Sequence, residues 1–269
     1  MNHLFRDLAP VSDLGWTAIE EEATRSLRHF LAARKLVDFD GPHGWDSAAV
    51  NTGRVRTLST TGPGGAAVRE AQALVEVRVP FVVSRAELAA IDRGADDADL
   101  DSVIAAARTA AETEDEACFA GWADAGISGI VDRSPHARLA IPGDYRSFPE
   151  QVAKAVSTLL QAGVGGPYAV AVGSDCYAGL LETTDEHGRP VLEDVRRRAE
   201  GGVVWAPALA GAVVLSIRGG DYCLHVGQDW SIGFSGSSAT EVELYLEESL
   251  TFRVMTPESA VVLVQAGTA

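Results

Sequence analysis

The stretch Asn51–Phe81, NTGRVRTLSTTGPGGAAVREAQALVEVRVPF, decides how the rest of the chain is read. Asn51–Thr60 and Ala67–Phe81 are extended segments on either side of Thr61-Gly62-Pro63-Gly64-Gly65, a tip made of turn-forming residues. Val75, Val77 and Val79 alternate with Glu76, Arg78 and Pro80, the period of a strand buried on one face. Together the two segments predict a long β-hairpin. Nothing nearby in sequence supplies a broad apolar surface to cover it. An uncovered hairpin predicts an arm that reaches a neighbouring subunit.

On the N-terminal side, Ser12-Asp13 offers a helix cap. Trp16, Ile19, Ala23, Leu27 and Phe30 or Leu31 then recur every three or four residues, as in an amphipathic helix. That helix opens acidic (Glu20, Glu21, Glu22) and closes basic (Arg25, Arg28, Arg34, Lys35), the sense its dipole favours. On the C-terminal side, Ser84–Asp92 predicts a short helix and Leu100–Asp124 a long spine. From residue 148 the pattern becomes α/β. Helices at Phe148–Ala162, Ser174–Leu181 and Val191–Arg198 interleave with strands at Tyr168–Val172, Val203–Trp205 and Ala212–Ile217. Strands dominate the last third, at Tyr222–Phe234, Glu241–Met255 and Val261–Val264. No repeat or linker divides the chain, and the fold class is α+β.

In a chain of 269 residues, 38 acidic against 22 basic side chains leave a formal charge of −16. Nucleic-acid coats and membrane-surface binders need a cationic face, so this balance argues against both. Cys118, Cys176 and Cys223 are far apart and form no CxxC pair, which fits buried thiols in a reducing cytosol. No apolar run reaches the roughly 18 residues of a spanning helix, and MNHLFRDLAP lacks the apolar stretch of a signal peptide. The expectation is a soluble, cytoplasmic protein. Catalytic motifs fail one after another. Gly163-Val164-Gly165-Gly166 follows a helix and has Tyr168 where a dinucleotide loop needs its third glycine. Glu112 and Glu116 share a helical face, but the ExxH partners of a di-metal site are missing, so they read as a charged or arginine-paired face. No catalytic residue and no metal site is expected.

Several blocks carry a resemblance when taken in order. Leu4-Phe5-Arg6-Asp7-Leu8-Ala9-Pro10 precedes the first helix, and Gly41-Pro42-His43-Gly44-Trp45 follows Arg34-Lys35-Leu36-Val37-Asp38. Glu114-Asp115-Glu116 lies on the spine, followed by Gly165-Gly166-Pro167-Tyr168 and His187-Gly188-Arg189-Pro190. Most specific is Arg218-Gly219-Gly220-Asp221 running on to Gly227-Gln228-Asp229-Trp230-Ser231-Ile232-Gly233. Each block is weak alone; the ordered set resembles the encapsulin shell proteins, members of the linocin-type bacteriocin family. The resemblance covers nearly the whole chain. It implies the tailed-phage major capsid-like fold, with a peripheral domain, an axial domain and an extended E-loop hairpin. The implied boundaries are 1–50 for the N-terminal helix and approach to the peripheral domain, 51–81 for the E-loop, 82–134 for the peripheral domain with its spine helix, 135–218 for the axial domain, and 219–269 for the returning strands. With no large insertion, the smallest icosahedral shell, T=1, is the implied lattice.

The function this implies is enclosure of a cargo enzyme, a dye-decolorising peroxidase or a ferritin-like protein, docked through a C-terminal targeting peptide. Carried over by motif, the docking groove comprises Leu27, Leu31, Arg34, Val37, Asp38, Asp229, Trp230 and Ile232. The competing reading is that Leu27 and Leu31 simply pack their helix onto its own domain. A loop carrying Glu182, Asp185, Glu186 and His187 would ring a five-fold pore and draw small cations to it. Some relatives bind flavin through a tryptophan in the segment matching Ser84–Leu88; Arg85-Ala86 stands there, so no flavin cofactor is expected. Two alternatives share parts of the resemblance: a phage capsid protein packaging DNA, and a bacteriocin or protease.

Overall fold

A computed structural model describes residues 3–59 and 64–265. Thr61, Gly62 and Pro63 of the expected hairpin tip lie outside the described residues. Helix α1 (Asp13–Phe30) starts at the expected cap, where the Gly15 N–H donates to Ser12 Oγ at 3.0 Å. Strand β1 (Asp38–Asp40), hairpin strands β2 (Ala49–Leu58) and β3 (Ala66–Ala73), strand β4 (Val75–Ser84) and helices α2 (Arg85–Asp92) and α3 (Asp101–Phe119) follow. Short strands β5 (Gly121–Trp122) and β6 (Ile127–Ser128) and helix α4 (Ile130–Arg133) lead into a second layered unit. That unit contains β7 (Leu139–Ile141), α5 (Phe148–Gln161), β8 (Tyr168–Val172), α6 (Ser174–Glu182), α7 (Val191–Arg198), β9 (Val203–Trp205) and β10 (Ala212–Ser216). The chain returns through β11 (Tyr222–Val226), β12 (Ser231–Ser237) and β13 (Glu241–Val254), then re-enters the second unit as β14 (Ala260–Gln265).

The long strand β13 organises the first sheet. One edge pairs with β4 from Glu241 to Leu250; the other pairs with β12 along its first half and β11 along its second, and β1 adds parallel to β11. Helices α1 and α3 cover this sheet, burying Ile19, Ala23, Val103, Ala107, Leu244 and Leu246 in one apolar cluster. The second sheet runs β7-β14-β10-β8-β9 and joins α5 and α7 in a second cluster around Phe148, Leu159, Val170 and Val195. A third cluster, including Phe119, Leu215, Leu250 and Phe252, takes side chains from both sheets and welds the units together. Each such fully buried side chain contributes about 1.5–3 kcal/mol of transfer free energy.

The structure redraws three expected elements. The segment expected to continue from Ala67 to Phe81 breaks at Leu74: β3 pairs with β2, whereas β4 pairs with β13 from Val75 to Ser84. The valine alternation thus belongs to the first sheet, and the free arm is only β2 and β3. The spine helix ends at Phe119 rather than Asp124. Gly121 takes φ +89°, and a Cβ on Gly129 would lie 2.3 Å from the Gly121 nitrogen, so only two glycines permit this crossing. The expected strand Tyr222–Phe234 is two strands, parted where Gln228 N donates to Ser249 Oγ at 2.9 Å and β13 changes partner.

Among the described residues the arm has no third strand, and Val55 (63%), Leu58 (41%) and Val68 (39%) are exposed on it. Two side chains of the main body hold its root. Gln72 Nε2 donates to Thr251 Oγ1 at 2.9 Å and to the Phe252 carbonyl at 2.8 Å, and Arg253 Nη1 reaches the Asn51 carbonyl at 3.5 Å.

Candidate functional site

The expected groove residues converge where the end of α1 meets α3 and the turn before β12. Asp115, on the buried side of α3, ties down the chain as it leaves α1. Its Oδ1 accepts from Ala33 N at 2.8 Å and its Oδ2 from Ala32 N at 2.9 Å. One residue on, the Arg34 guanidinium turns inward. Its Nε donates to Glu114 Oε1 at 2.9 Å, while Nη2 donates to Glu114 Oε2 at 2.7 Å, Asp229 Oδ1 at 2.8 Å and Glu248 Oε1 at 2.6 Å. Trp230 closes the network by donating from its indole Nε1 to Glu114 Oε2 at 3.0 Å. On its other side the guanidinium lies 4.9 Å from the Phe39 ring centroid.

Three carboxyl groups around one cation leave excess negative charge, and two of them, Glu114 and Glu248, are fully buried. The pKa directions show how this is resolved. Burial, reinforced by the neighbouring Glu114 charge, drives Glu248 well above the carboxylate range despite Arg34. Burial and the Glu114 charge thus favour the neutral form of Glu248, whose buried Oε2 has no hydrogen-bond partner among the described residues. Burial alone would lower the Arg34 pKa; the hydrogen bonds and charges of Glu114, Glu248 and Asp229 outweigh it and hold it up. Asp115 is pushed up to about 7 by burial, against the pull of its two backbone donors.

The structure sorts the eight expected groove residues into two groups. Leu27, Leu31 and Ile232 are buried in the chain's own core, so their apolar surface is already covered. Arg34, Asp229 and Trp230 are brought together by direct bonds. Val37 and Asp38 lie beside them along a cavity of about 160 Å³ that also includes Tyr222 and Asp221. Asp38 faces solvent and accepts from Gly220 N at 2.6 Å. Sequence reasoning missed Phe39, which is 39% exposed, and the buried partner Glu248. The visible signal for the latter was that Glu248 falls in the phase of Val242, Leu244, Leu246, Leu250 and Phe252, the apolar positions of its strand.

The expected pore loop follows α6. Asp185 braces it from within: Oδ1 accepts from His187 N at 2.8 Å and Arg189 N at 2.9 Å, and Oδ2 faces Arg189 Nε at 3.3 Å. The Arg189 amide, then the other donors, hold the Asp185 pKa below the ordinary carboxylate value. Glu182, Glu186 and His187 project into solvent. Glu112 pairs with Arg108 at 2.8 Å, the arginine-paired reading of that acidic run. Among the described residues no cluster of histidine, cysteine or carboxylate side chains could hold a metal ion, and no helix is long and apolar enough to cross a membrane.

The family model described as an encapsulating protein for peroxidase matches residues 1–251. The chain belongs to the encapsulin shell-protein family. A type 1 encapsulin shell protein of Rhodospirillum rubrum is 50% identical over 270 residues, covering 98% of this chain and 96% of that protein. A crystal structure of a virus-like particle from Pyrococcus furiosus superposes with a TM-score of 0.65 at 16% identity, over 92% of this chain and 98% of that one. The capsid of the Myoviridae phage XM1 matches at 0.52 and 11% identity, over 86% and 90%. The encapsulin chain thus has the tailed-phage major capsid-like fold.

Proposed function

We propose that this chain is a non-catalytic shell subunit that closes in the cytoplasm into a T=1 icosahedral compartment around a cargo enzyme, a dye-decolorising peroxidase or a ferritin-like protein. The observation that carries this reading is end-to-end similarity, at 50% identity, to a type 1 encapsulin shell protein. An arm without a covering surface in its own chain supports it independently. The domain boundaries at 50, 81, 134 and 218 belong to the same proposal.

The cargo's C-terminal peptide would rest on the solvent-facing part of the Arg34 site, formed by Val37, Asp38, Phe39, Asp229 and Trp230. Leu27, Leu31 and Ile232 would support that surface from beneath. Three carboxyl groups already occupy Arg34, so the peptide meets aromatic faces and exposed carboxylates. That chemistry suits apolar side chains flanked by amide or cationic donors. The test is electron microscopy with mass analysis of natively purified protein. Closed shells containing a second protein support the proposal. Nucleic acid inside makes the protein a capsid, and free subunits at every condition overturn the shell reading. For the docking surface, the Asp38→Lys, Phe39→Asp double variant should form intact, empty shells; full loading rejects it. Both positions are exposed, so the variant does not disturb the core as a change at Leu31 would.

A further inference from the structure

A cavity of about 630 Å³ opens outside the carboxyl end of β8, where the chain turns into α6. Its size falls within the roughly 300–1,000 Å³ of small-molecule sites. β8 is parallel to β9, and the two are joined through α6 and α7. In α/β units of this kind the crevice at the carboxyl end of a strand is the usual place for a ligand. Glycines let the surrounding loops close on one another. A Cβ on Gly173 would lie 2.1 Å from the Leu209 carbonyl oxygen, and one on Gly211 would lie 2.4 Å from that of Leu263. The wall here is backbone held against backbone.

The lining divides by chemistry. Val131, Leu209, Val262 and Val264 supply branched aliphatic surface, and the exposed residues Arg138, Ser174 and Asp175 line the same space. Arg138 and Asp175 are not paired with each other, and among the described residues neither side chain is in an ion pair. The second unit otherwise uses its arginines in pairs: Arg146, Arg189, Arg197, Arg198 and Arg218 each meet an aspartate. One open cation and one open anion on an aliphatic cavity match a ligand that carries both charges on an aliphatic body. A guanidinium is shaped for a carboxylate, and an aspartate accepts from an ammonium.

We propose that this cavity binds a free α-amino acid with a branched aliphatic side chain. Its carboxylate meets Arg138, its ammonium meets Asp175, and its side chain lies against Val131, Leu209, Val262 and Val264. The cavity shares no lining residue with the one beside Arg34, and the proposal stands apart from the shell reading. The experiment is isothermal titration calorimetry on the full-length protein in its native state of assembly. Four compounds are compared: L-leucine, 4-methylpentanoate, which lacks the ammonium, 3-methylbutylamine, which lacks the carboxylate, and glycine, which lacks the side chain. L-leucine should bind saturably and about tenfold or more tightly than each of the others, because each of them leaves part of the site unmatched. Arg138→Gln should bring L-leucine down to the affinity of 3-methylbutylamine, and Asp175→Asn should bring it down to that of 4-methylpentanoate. Both positions are exposed, so neither change disturbs the core, and the four-compound comparison on wild type needs no variant at all. Absence of saturable L-leucine binding up to about 10 mM overturns the proposal. An L-leucine affinity no better than that of its truncated analogues also overturns it, as does either variant binding L-leucine as tightly as wild type.

Discussion

The Arg34 guanidinium joins residues from α1's exit, α3, β13 and the turn before β12. Removing a cation from such a site leaves Glu114 buried and uncompensated, which typically costs about 3–5 kcal/mol. Arg34→Met should therefore lower the unfolding free energy by that order in urea titrations at pH 7. The wild-type chain has its own pH dependence. Asp115 and Glu248 are both harder to ionise in the fold than in the unfolded chain. Their contribution to stability is complete below about pH 4 and is lost as pH rises, through about 7 for Asp115, with Glu248 shifted in the same direction. Asp40 and Asp185 are shifted downward and act in the opposite sense, in the window below about pH 4. Unfolding midpoints should fall between pH 5 and pH 8, and Glu248→Gln, which fixes the neutral form, should flatten part of that decline. A midpoint that rises over this range contradicts the assignment.

Elements show where reading the sequence works and where it stops. Caps and local periodicity placed α2 and the start of α1, because that information lies within one or two turns; Arg34 and Lys35, read into the basic end of α1, lie beyond its end at Phe30. The Val75–Val79 alternation was just as visible, yet alternation reports only that one face is buried, not which segment buries it. That segment is β13, about 170 residues away, and so β4 was read into the arm. Glu248 was missed for the same reason, because its partner Arg34 lies 214 positions away. The end of α3 depends on a contact between two glycines eight residues apart. Gly129→Ala would drive a Cβ into the backbone of Phe119–Gly121, where no side chain can yield, at a cost of at least the usual 1–3 kcal/mol of overpacking. Gly53, by contrast, has open space around it, leaving an alanine there only the strain of φ +73°. Urea titrations of the two alanine variants should show the larger loss for Gly129.

At the scale of the whole molecule, net charge becomes a matter of placement. The net charge is −16; the fold exposes Arg54, Arg56 and Arg69 on the arm, Glu182 at the end of α6 and Glu186 on the loop after it. If that loop lines a pore, Glu182→Gln with Glu186→Gln should slow the passage of small cations into closed particles, read from an enclosed metal-sensitive dye. Unchanged uptake removes the loop from that role. Asp185 is left alone in this test because it braces the loop itself.

The arrangement of β13 and β14 also sets a clock. β13 is the inner strand of the first sheet, and β14 lies between β7 and β10 in the second. Neither sheet can close until residues 241–265 have been made. At about 5–20 residues per second, a ribosome produces those 25 positions in roughly 1–5 s. A nascent chain therefore extends its arm long before it has a body on which another arm can settle. Until residues 241–265 have emerged, a nascent chain offers a neighbour only incomplete sheets.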